Sequence, residues 1–171
     1  MLLKNIIQDF FGLLYPKLCY YCDNLLIAEE KVVCFSCNYD LPKGRFSSLK
    51  NNPTHSLFWG RIPLRQAYSW LSFNKHGKAQ TLFHQLKYQH KKDIGYFLGR
   101  SLGKALHKID SFDAPDVIIP VPLHWKKERK RGCNQSLLIA EGLSTVLESP
   151  VNSSSLQRIY SSETQTHKKT L

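Results

Sequence analysis

The chain has 171 residues, of which 42% are hydrophobic and 12% aromatic, and this composition excludes a wholly disordered polymer. Its length is sufficient for one hydrophobic core of moderate size and a small additional module. The net charge of +11 is concentrated in the middle of the chain, because residues 61–135 contain 15 Lys and Arg against 5 Asp and Glu. Such a local charge favours phosphate-bearing partners, either a small phosphorylated ligand or a nucleic-acid backbone.

Residues 3–14 carry apolar side chains at helical spacing until Pro16, and this pattern predicts a short amphipathic helix. The segment is too short and too charged to span a bilayer, since it is interrupted by Lys4, Asp9 and Lys17. It also lacks a small-residue cleavage site, so we expect no signal peptide and a cytoplasmic location. The apolar face of this helix could pack on the domain or contact a membrane or a partner, and packing is the more common use.

Two CxxC motifs, Cys19-Tyr-Tyr-Cys22 and Cys34-Phe-Ser-Cys37, are separated by eleven residues. This spacing allows four thiolates to surround one Zn²⁺ ion tetrahedrally. Two alternatives are a pair of disulfides, which a reducing cytosol opposes, and a thioredoxin-like redox motif, which leaves one CxxC unused. We favour zinc over both. Because the protein supplies all four ligands, the ion is expected to be structural and to provide most of the folding free energy of the module at residues 1–45.

Proline, glycine and polar residues are frequent between residues 46 and 65, and we place an inter-module linker there. From Gln66 to Phe73 strand-forming residues predominate, so the sequence predicts a strand followed by a turn at residues 74–77. Apolar residues at helical spacing then predict one short helix around Leu82–Leu86 and a second helix that begins near Asp93.

The segment Asp116–Gln135 combines an apolar run, two prolines and a basic stretch. Val117-Ile118-Ile119 is apolar at consecutive positions, as is typical of a strand covered on both faces in a parallel α/β sheet. Pro120 and Pro122 would end this strand, and five basic residues follow them: Lys126, Lys127, Arg129, Lys130 and Arg131. Gly132 permits a positive φ and Asn134 can cap a helix, so the segment suits a phosphate or diphosphate. On composition alone, a solvated charge run is an equally good explanation.

The order of these residues resembles the PVPLH…R…RGxNQ signature of the ComF/GntX family of phosphoribosyltransferase-like proteins. Similar family segments correspond to the two cysteine motifs, to Leu86-Lys87-Tyr88, and to the stretch from Leu156 through Arg158 to Gln165. The resemblance implies an α/β fold, with a partial type I phosphoribosyltransferase-like parallel sheet flanked by helices over residues 66–171. It also implies that a small four-cysteine zinc ribbon precedes this domain.

The resemblance further implies a binding site for phosphoribosyl diphosphate, with Mg²⁺ bound to the diphosphate. The residues that it assigns to the diphosphate loop are Pro122, Lys126, Arg129, Lys130, Arg131, Gly132, Asn134 and Gln135. Two further candidate phosphate contacts are Lys87 and Arg158, although an exposed lysine on an amphipathic helix is the commoner explanation for Lys87. His124 lies within the same segment, and we expect it to be a structural hydrogen-bonding residue rather than an acid or base.

Members of the family bind the ribose 5-phosphate with paired acidic residues and a Thr/Gly-rich loop after a further strand, and no such segment occurs in this sequence. We therefore expect a carboxy-terminally truncated chain that is inactive alone, because transfer requires a fixed ribose as well as a stabilised leaving group. Two functions stay open. One is a phosphoribosyltransferase-like protein with an unknown acceptor. The other is a non-catalytic zinc-binding module that contacts single-stranded DNA or the DNA-uptake machinery, since ComF is named for genetic competence.

Overall fold

The computed structural model describes residues 15–27, 29–44, 53–75, 77–109 and 112–161. The chain divides into two compact units, Met1–Gln85 and Leu86–Leu171. The amphipathic helix predicted for residues 3–14 and the end of the segment at Gln165 lie outside the described residues. The predicted modules at residues 1–45, 46–65 and 66–171 stay a prediction.

The described part of the first unit contains one short helix at the second cysteine motif, a second short helix further along the chain and most of one longer helix. Helix α1 is Phe35–Tyr39, α2 is Pro53–Ser56, and α3 is Lys78–Tyr88, within which the boundary between the units falls. Among the described residues of this unit, the buried apolar side chains are mostly small: Cys19, Val32, Val33, Cys34, Cys37, Leu41, Ala79 and Leu82. By themselves these side chains provide little hydrophobic stabilisation.

The strand predicted for Gln66–Phe73 is not formed, and this prediction is wrong. Leu71 makes only an isolated antiparallel bridge with Lys43. Beside this bridge, the Ser72 N–H donates a hydrogen bond of 2.8 Å to the Pro42 carbonyl. Pro42 has no N–H group, so it cannot donate the next hydrogen bond that would extend a ladder.

The second unit is built on two helices that pack closely. These are α4, Lys92–Leu106, and α6, Gln135–Leu147, and the short helix α5, Trp125–Arg131, precedes α6. The helices α4 and α6 approach each other through Gly99 and Gly142, where a methyl group would overlap backbone atoms of the opposite helix. The predicted helix near Leu82–Leu86 and the predicted helix beginning near Asp93 are both confirmed, as α3 and α4.

The expected parallel sheet is also absent from the described residues, so the predicted partial type I phosphoribosyltransferase-like α/β fold is wrong. Ile118 makes a single parallel bridge with Val151, in which the Ile118 N–H donates to the Pro150 carbonyl at 2.8 Å. The neighbouring side chains of Val117 and Ile119 are 40% and 43% exposed, so the apolar run is not covered on both faces. This part of the chain is mostly helical and irregular instead.

No helix in the described part of the chain combines the length and the apolar character needed to cross a membrane. The longest, α4, has 15 residues.

Candidate metal centre and basic pocket

The four cysteines of the CxxC motifs converge in the first unit. Their Sγ atoms all lie within 4.8 Å of one another, and the Sγ atoms of Cys22 and Cys34 are 3.6 Å apart. Each motif is folded into a tight turn: the Asp23 N–H donates to the Cys19 carbonyl, and the Asn38 N–H donates to the Cys34 carbonyl at the start of α1. The two turns are joined by a bond of 3.3 Å from the Cys34 N–H to the Cys19 Sγ.

The spacing of the sulfur atoms fits a tetrahedral metal ion. Zinc–sulfur bonds of about 2.3 Å in a tetrahedron place the sulfur atoms about 3.8 Å apart. The 3.6 Å between the Sγ atoms of Cys22 and Cys34 is close to that value and no pair exceeds 4.8 Å, whereas a disulfide requires about 2.05 Å between sulfur atoms. Cys19, Cys34 and Cys37 are buried and Cys22 is half-buried, so the cluster is largely shielded from water. Four cysteines therefore lie close enough together to bind zinc.

The protein environment separates the acidities of these thiols. For Cys19, burial opposes ionisation, but N–H groups directed at its sulfur, including those of Cys22 and Cys34, outweigh burial and lower its pKa to about 7. For Cys37, burial and the neighbouring thiols raise the pKa. A cation at the centre would favour the thiolate form of all four ligands.

The turn before α5 is fixed by the first residues of α6. Asn134 caps α6, because its side-chain oxygen accepts a bond of 3.0 Å from the Ser136 N–H, as the sequence predicted. The Asn134 amide also donates to the Val121 carbonyl at 3.1 Å, and the Val121 N–H donates to the Ser136 hydroxyl at 3.1 Å. The segment between Pro120 and Pro122 is thus tied to the start of α6.

The basic stretch itself forms helix α5, which the sequence analysis did not predict. His124 begins this helix by accepting a bond of 3.3 Å from the Lys126 N–H at its Nδ1 atom. Its side chain is buried and serves as a cap, so the predicted structural role of His124 is confirmed. The helix ends at Gly132, which adopts φ +71°, and a Cβ atom there would lie 2.8 Å from Nδ1 of His90.

One face of α5 and the end of α3 enclose a basic pocket of about 440 Å³. Its lining contains five cationic side chains, a tyrosine and a histidine, and no acidic residue: Lys87, Lys126, Lys127, Lys130, Arg131, Tyr88 and His90. We call this cavity the basic pocket. It brings together four of the predicted phosphate contacts, namely Lys87, Lys126, Lys130 and Arg131. Lys127, Tyr88 and His90 were not among the predicted site residues.

The other predicted contacts lie elsewhere in the second unit. Pro122, Asn134 and Arg158 line a second cavity of about 350 Å³, which we call the Trp125 cavity because this exposed indole forms part of its wall. The guanidinium carbon of Arg129 lies 5.6 Å from the centre of the Trp125 ring. Gln135 accepts a bond of 3.1 Å from the Arg131 guanidinium, and Gly132 forms the bend between α5 and α6. The ligand-binding roles of all these residues stay predictions.

Comparison with known proteins gives one partial similarity. The chain is 36% identical over 87 residues to the DNA utilization protein YhgH of Escherichia coli O157:H7, and to the protein of the same name in Shigella flexneri. The aligned part covers 49% of this chain and 38% of each relative, so it spans well under half of their length. No protein-family model matches the sequence. No solved structure matches it. These relatives are named for DNA utilization, and the comparison gives no support to the predicted phosphoribosyltransferase fold.

Proposed function

We propose that this chain is a zinc-binding module that contacts phosphate groups of DNA during DNA utilization, with the basic pocket as the contact surface. The observation that carries the proposal is the set of five cationic side chains around one concave surface without an acidic residue. Phosphate groups are the partners that such a surface attracts most strongly. The partial similarity to proteins named for DNA utilization supports the same partner.

The contribution of zinc is structural in this proposal. A four-cysteine site with no open coordination position does not activate water or substrate. It holds together a unit in which the described buried side chains are mostly small, so the metal would contribute much of the folding free energy. Cys19, Cys22, Cys34 and Cys37 would hold the ion.

A second candidate ligand is phosphoribosyl diphosphate, bound with Mg²⁺. The feature that favours it is the concave shape of the basic pocket, since a volume of about 440 Å³ is in the range of small-ligand sites. The sequence signature from Pro122 to Gln135 supports the same ligand. The contacts would be the cations of the pocket, and an acceptor substrate is not proposed.

The salt dependence of DNA binding tests the main proposal. We expect the logarithm of the association constant for an oligo(dT) strand to fall with the logarithm of KCl concentration with a slope of about −3.5, if five cations each contact a phosphate. The double variant Lys127→Gln/Lys130→Gln should lower the magnitude of that slope to about 2 and weaken binding of single strands and duplexes alike.

A matched control removes the same charge from another surface of the second unit. The variant Lys104→Gln/Lys108→Gln changes two exposed lysines that do not line the basic pocket. It should leave the salt-dependence slope of DNA binding unchanged. Equal losses in the two double variants would show that net charge rather than the pocket governs binding, and would contradict the proposal.

Calorimetry with phosphoribosyl diphosphate and Mg²⁺, compared with inorganic phosphate, tests the second candidate. A saturable heat that disappears in Arg131→Ala would favour it.

A further inference from the structure

Helix α5 contributes different side chains to the basic pocket and to the Trp125 cavity. Lys126, Lys127, Lys130 and Arg131 line the basic pocket, whereas Trp125 and Glu128 line the Trp125 cavity. This division follows from helix geometry, because Trp125 and Glu128 are three residues apart and share one face of the helix. Glu128, the only acidic residue of α5, thus lines the Trp125 cavity and not the basic pocket.

The Trp125 cavity has the composition of a site for a planar, polar ring. Its lining is about half apolar: six of the eleven residues are apolar, and the other five are Asn134, Gln157, Arg158, Ser153 and Glu128. A volume of about 350 Å³ is within the usual size range of sites for small organic molecules, in which apolar walls surround hydrogen-bonding groups. Carboxylate, amide and guanidinium groups together offer both donors and acceptors to the edge of a heterocycle.

The indole of Trp125 is suitable for stacking. Its side chain is 57% exposed, although a tryptophan ring is usually well buried. The ring already has three neighbours: His124 stacks on it with the ring centroids 5.6 Å apart, and Lys126 Nζ and the guanidinium carbon of Arg129 lie over it at 5.4 Å and 5.6 Å from its centre. A base would stack on the part of the indole that these groups leave exposed. An exposed aromatic ring bordered by cations is the arrangement with which proteins bind single-stranded nucleic acids, because a base stacks on the ring while its phosphates contact the cations.

We propose that the Trp125 cavity binds an unpaired heterocyclic base stacked on the indole of Trp125, while phosphates joined to that base contact the cations of α5. This inference rests on the proposed function and makes it more specific. A base in a duplex is paired and stacked, and it must leave the helix before it can enter such a cavity. The chain is therefore a binder of single strands in preference to duplexes. A free nucleotide offers the same base and phosphate chemistry, so the test includes one.

The first measurement uses fluorescence. The chain has three tryptophans, so the double variant Trp59→Phe/Trp70→Phe leaves Trp125 as the only one. We expect oligo(dT) to quench this fluorescence in a saturable manner, and a duplex of the same length to leave it nearly unchanged. If thymidine monophosphate quenches the fluorescence at the same nucleotide concentration as oligo(dT) does, the site binds free nucleotides. Quenching by the strand alone assigns it to single-stranded DNA.

The second measurement uses affinity. Trp125→Ala should weaken binding of oligo(dT) by roughly 5- to 150-fold, the range for loss of one stacked base, with duplex binding within about twofold of the wild type. Trp125→Phe should retain much of the affinity, because a smaller ring can still stack. The control is Trp59→Ala, which removes an even more exposed tryptophan from the first unit and should have no effect.

The outcomes separate this inference from the proposed function. If Lys127→Gln/Lys130→Gln weakens DNA binding but Trp125→Ala does not and no probe quenches Trp125, the base site is wrong and the phosphate contact remains. If no DNA binds but thymidine monophosphate quenches Trp125, the proposed function is wrong and the base site remains. If neither ligand binds, both are wrong.

Discussion

Replacing Gly99 with alanine tests the close approach of α4 and α6, on which the position of the capped turn at Asn134 depends. A Cβ atom at position 99 would lie 2.1 Å from the carbonyl oxygen of Ile139 and 2.7 Å from the amide nitrogen of Leu143. It would also lie 2.9 Å from the Cα atom of Gly142. All three are backbone atoms, so no change of rotamer can relieve the overlap. The helices would have to separate by roughly 1 Å in a closely packed interior.

Two opposing terms determine the size of the effect. Alanine is favoured over glycine in a helix interior by about 1 kcal/mol. Overpacking typically costs about 1–3 kcal/mol, and overlap with backbone atoms of a second helix places Gly99→Ala at the upper end of that range. We therefore expect the free energy of unfolding to fall by about 2 kcal/mol. For a unit of this size the Tm should then fall by roughly 8–16 °C.

Urea unfolding followed by far-ultraviolet circular dichroism measures this change, and calorimetry gives the Tm. Gly103→Ala is a graded control, because the nearest atom to its added Cβ is the side-chain Cβ of Val146 at 2.8 Å. This Cβ is fixed by its own backbone, but the approach of 2.8 Å is less severe than the 2.1 Å at position 99, so Gly103→Ala should be less destabilising than Gly99→Ala. An alanine at position 99 that left stability unchanged or increased it would show that the helices do not pack as closely as described.

Two further predictions concern the metal centre and the capped turn. Protein purified without chelators should contain about one zinc ion per chain by elemental analysis. A chelator should abolish amide-exchange protection around the cysteines, because structural zinc contributes about 10–16 kcal/mol to folding in zinc-finger peptides. A metal-free first unit that stays folded would contradict this. Asn134→Ala should lower the free energy of unfolding by about 1–2 kcal/mol, since it removes both the cap of α6 and the bond to the Val121 carbonyl. Asn134→Asp keeps the cap acceptor and should recover most of this loss. Equal losses in the two variants would show that the cap contributes little.

Features set by neighbouring residues were predictable from the sequence. The convergence of the four cysteines follows from the CxxC spacing, because each motif closes its own turn with local hydrogen bonds. The start of α6 was predicted for a similar reason, since Asn134 bonds to a backbone group only two residues away. The apolar spacing that predicted α3 and α4 is likewise a property of the segments themselves.

The sheet could not be predicted in this way, because a strand depends on partners that are distant in sequence. Val117-Ile118-Ile119 has the pattern of a buried strand, but only Ile118 finds a parallel partner, at Val151. Prolines limit the extension of this pairing on both sides, since Pro120 and Pro150 cannot donate ladder hydrogen bonds. The apolar run therefore reflects local composition and not the number of strands available to pair with it.

The basic helix was missed because its sequence carries no apolar periodicity. From Lys126 to Arg131 every side chain is charged, and a histidine is an uncommon cap, so neither signal for a helix was present. Without a helix, the cations could not be assigned to faces. Once α5 is known, residues at positions 126, 127, 130 and 131 fall on one side, and this explains why Arg129 lies outside the basic pocket.

The positions of the cations within α5 distinguish a stabilising role from a binding role. Arg129, Lys130 and Arg131 occupy the last turn, where positive charge is favourable to the helix dipole and would be expected for stability alone. Lys126 and Lys127 lie in the first turn, where a positive charge is unfavourable by a few tenths of a kcal/mol or more. The helix dipole does not account for these two lysines, and both line the basic pocket. A phosphate bound to the basic pocket, as proposed, would offset the unfavourable charge of these two lysines.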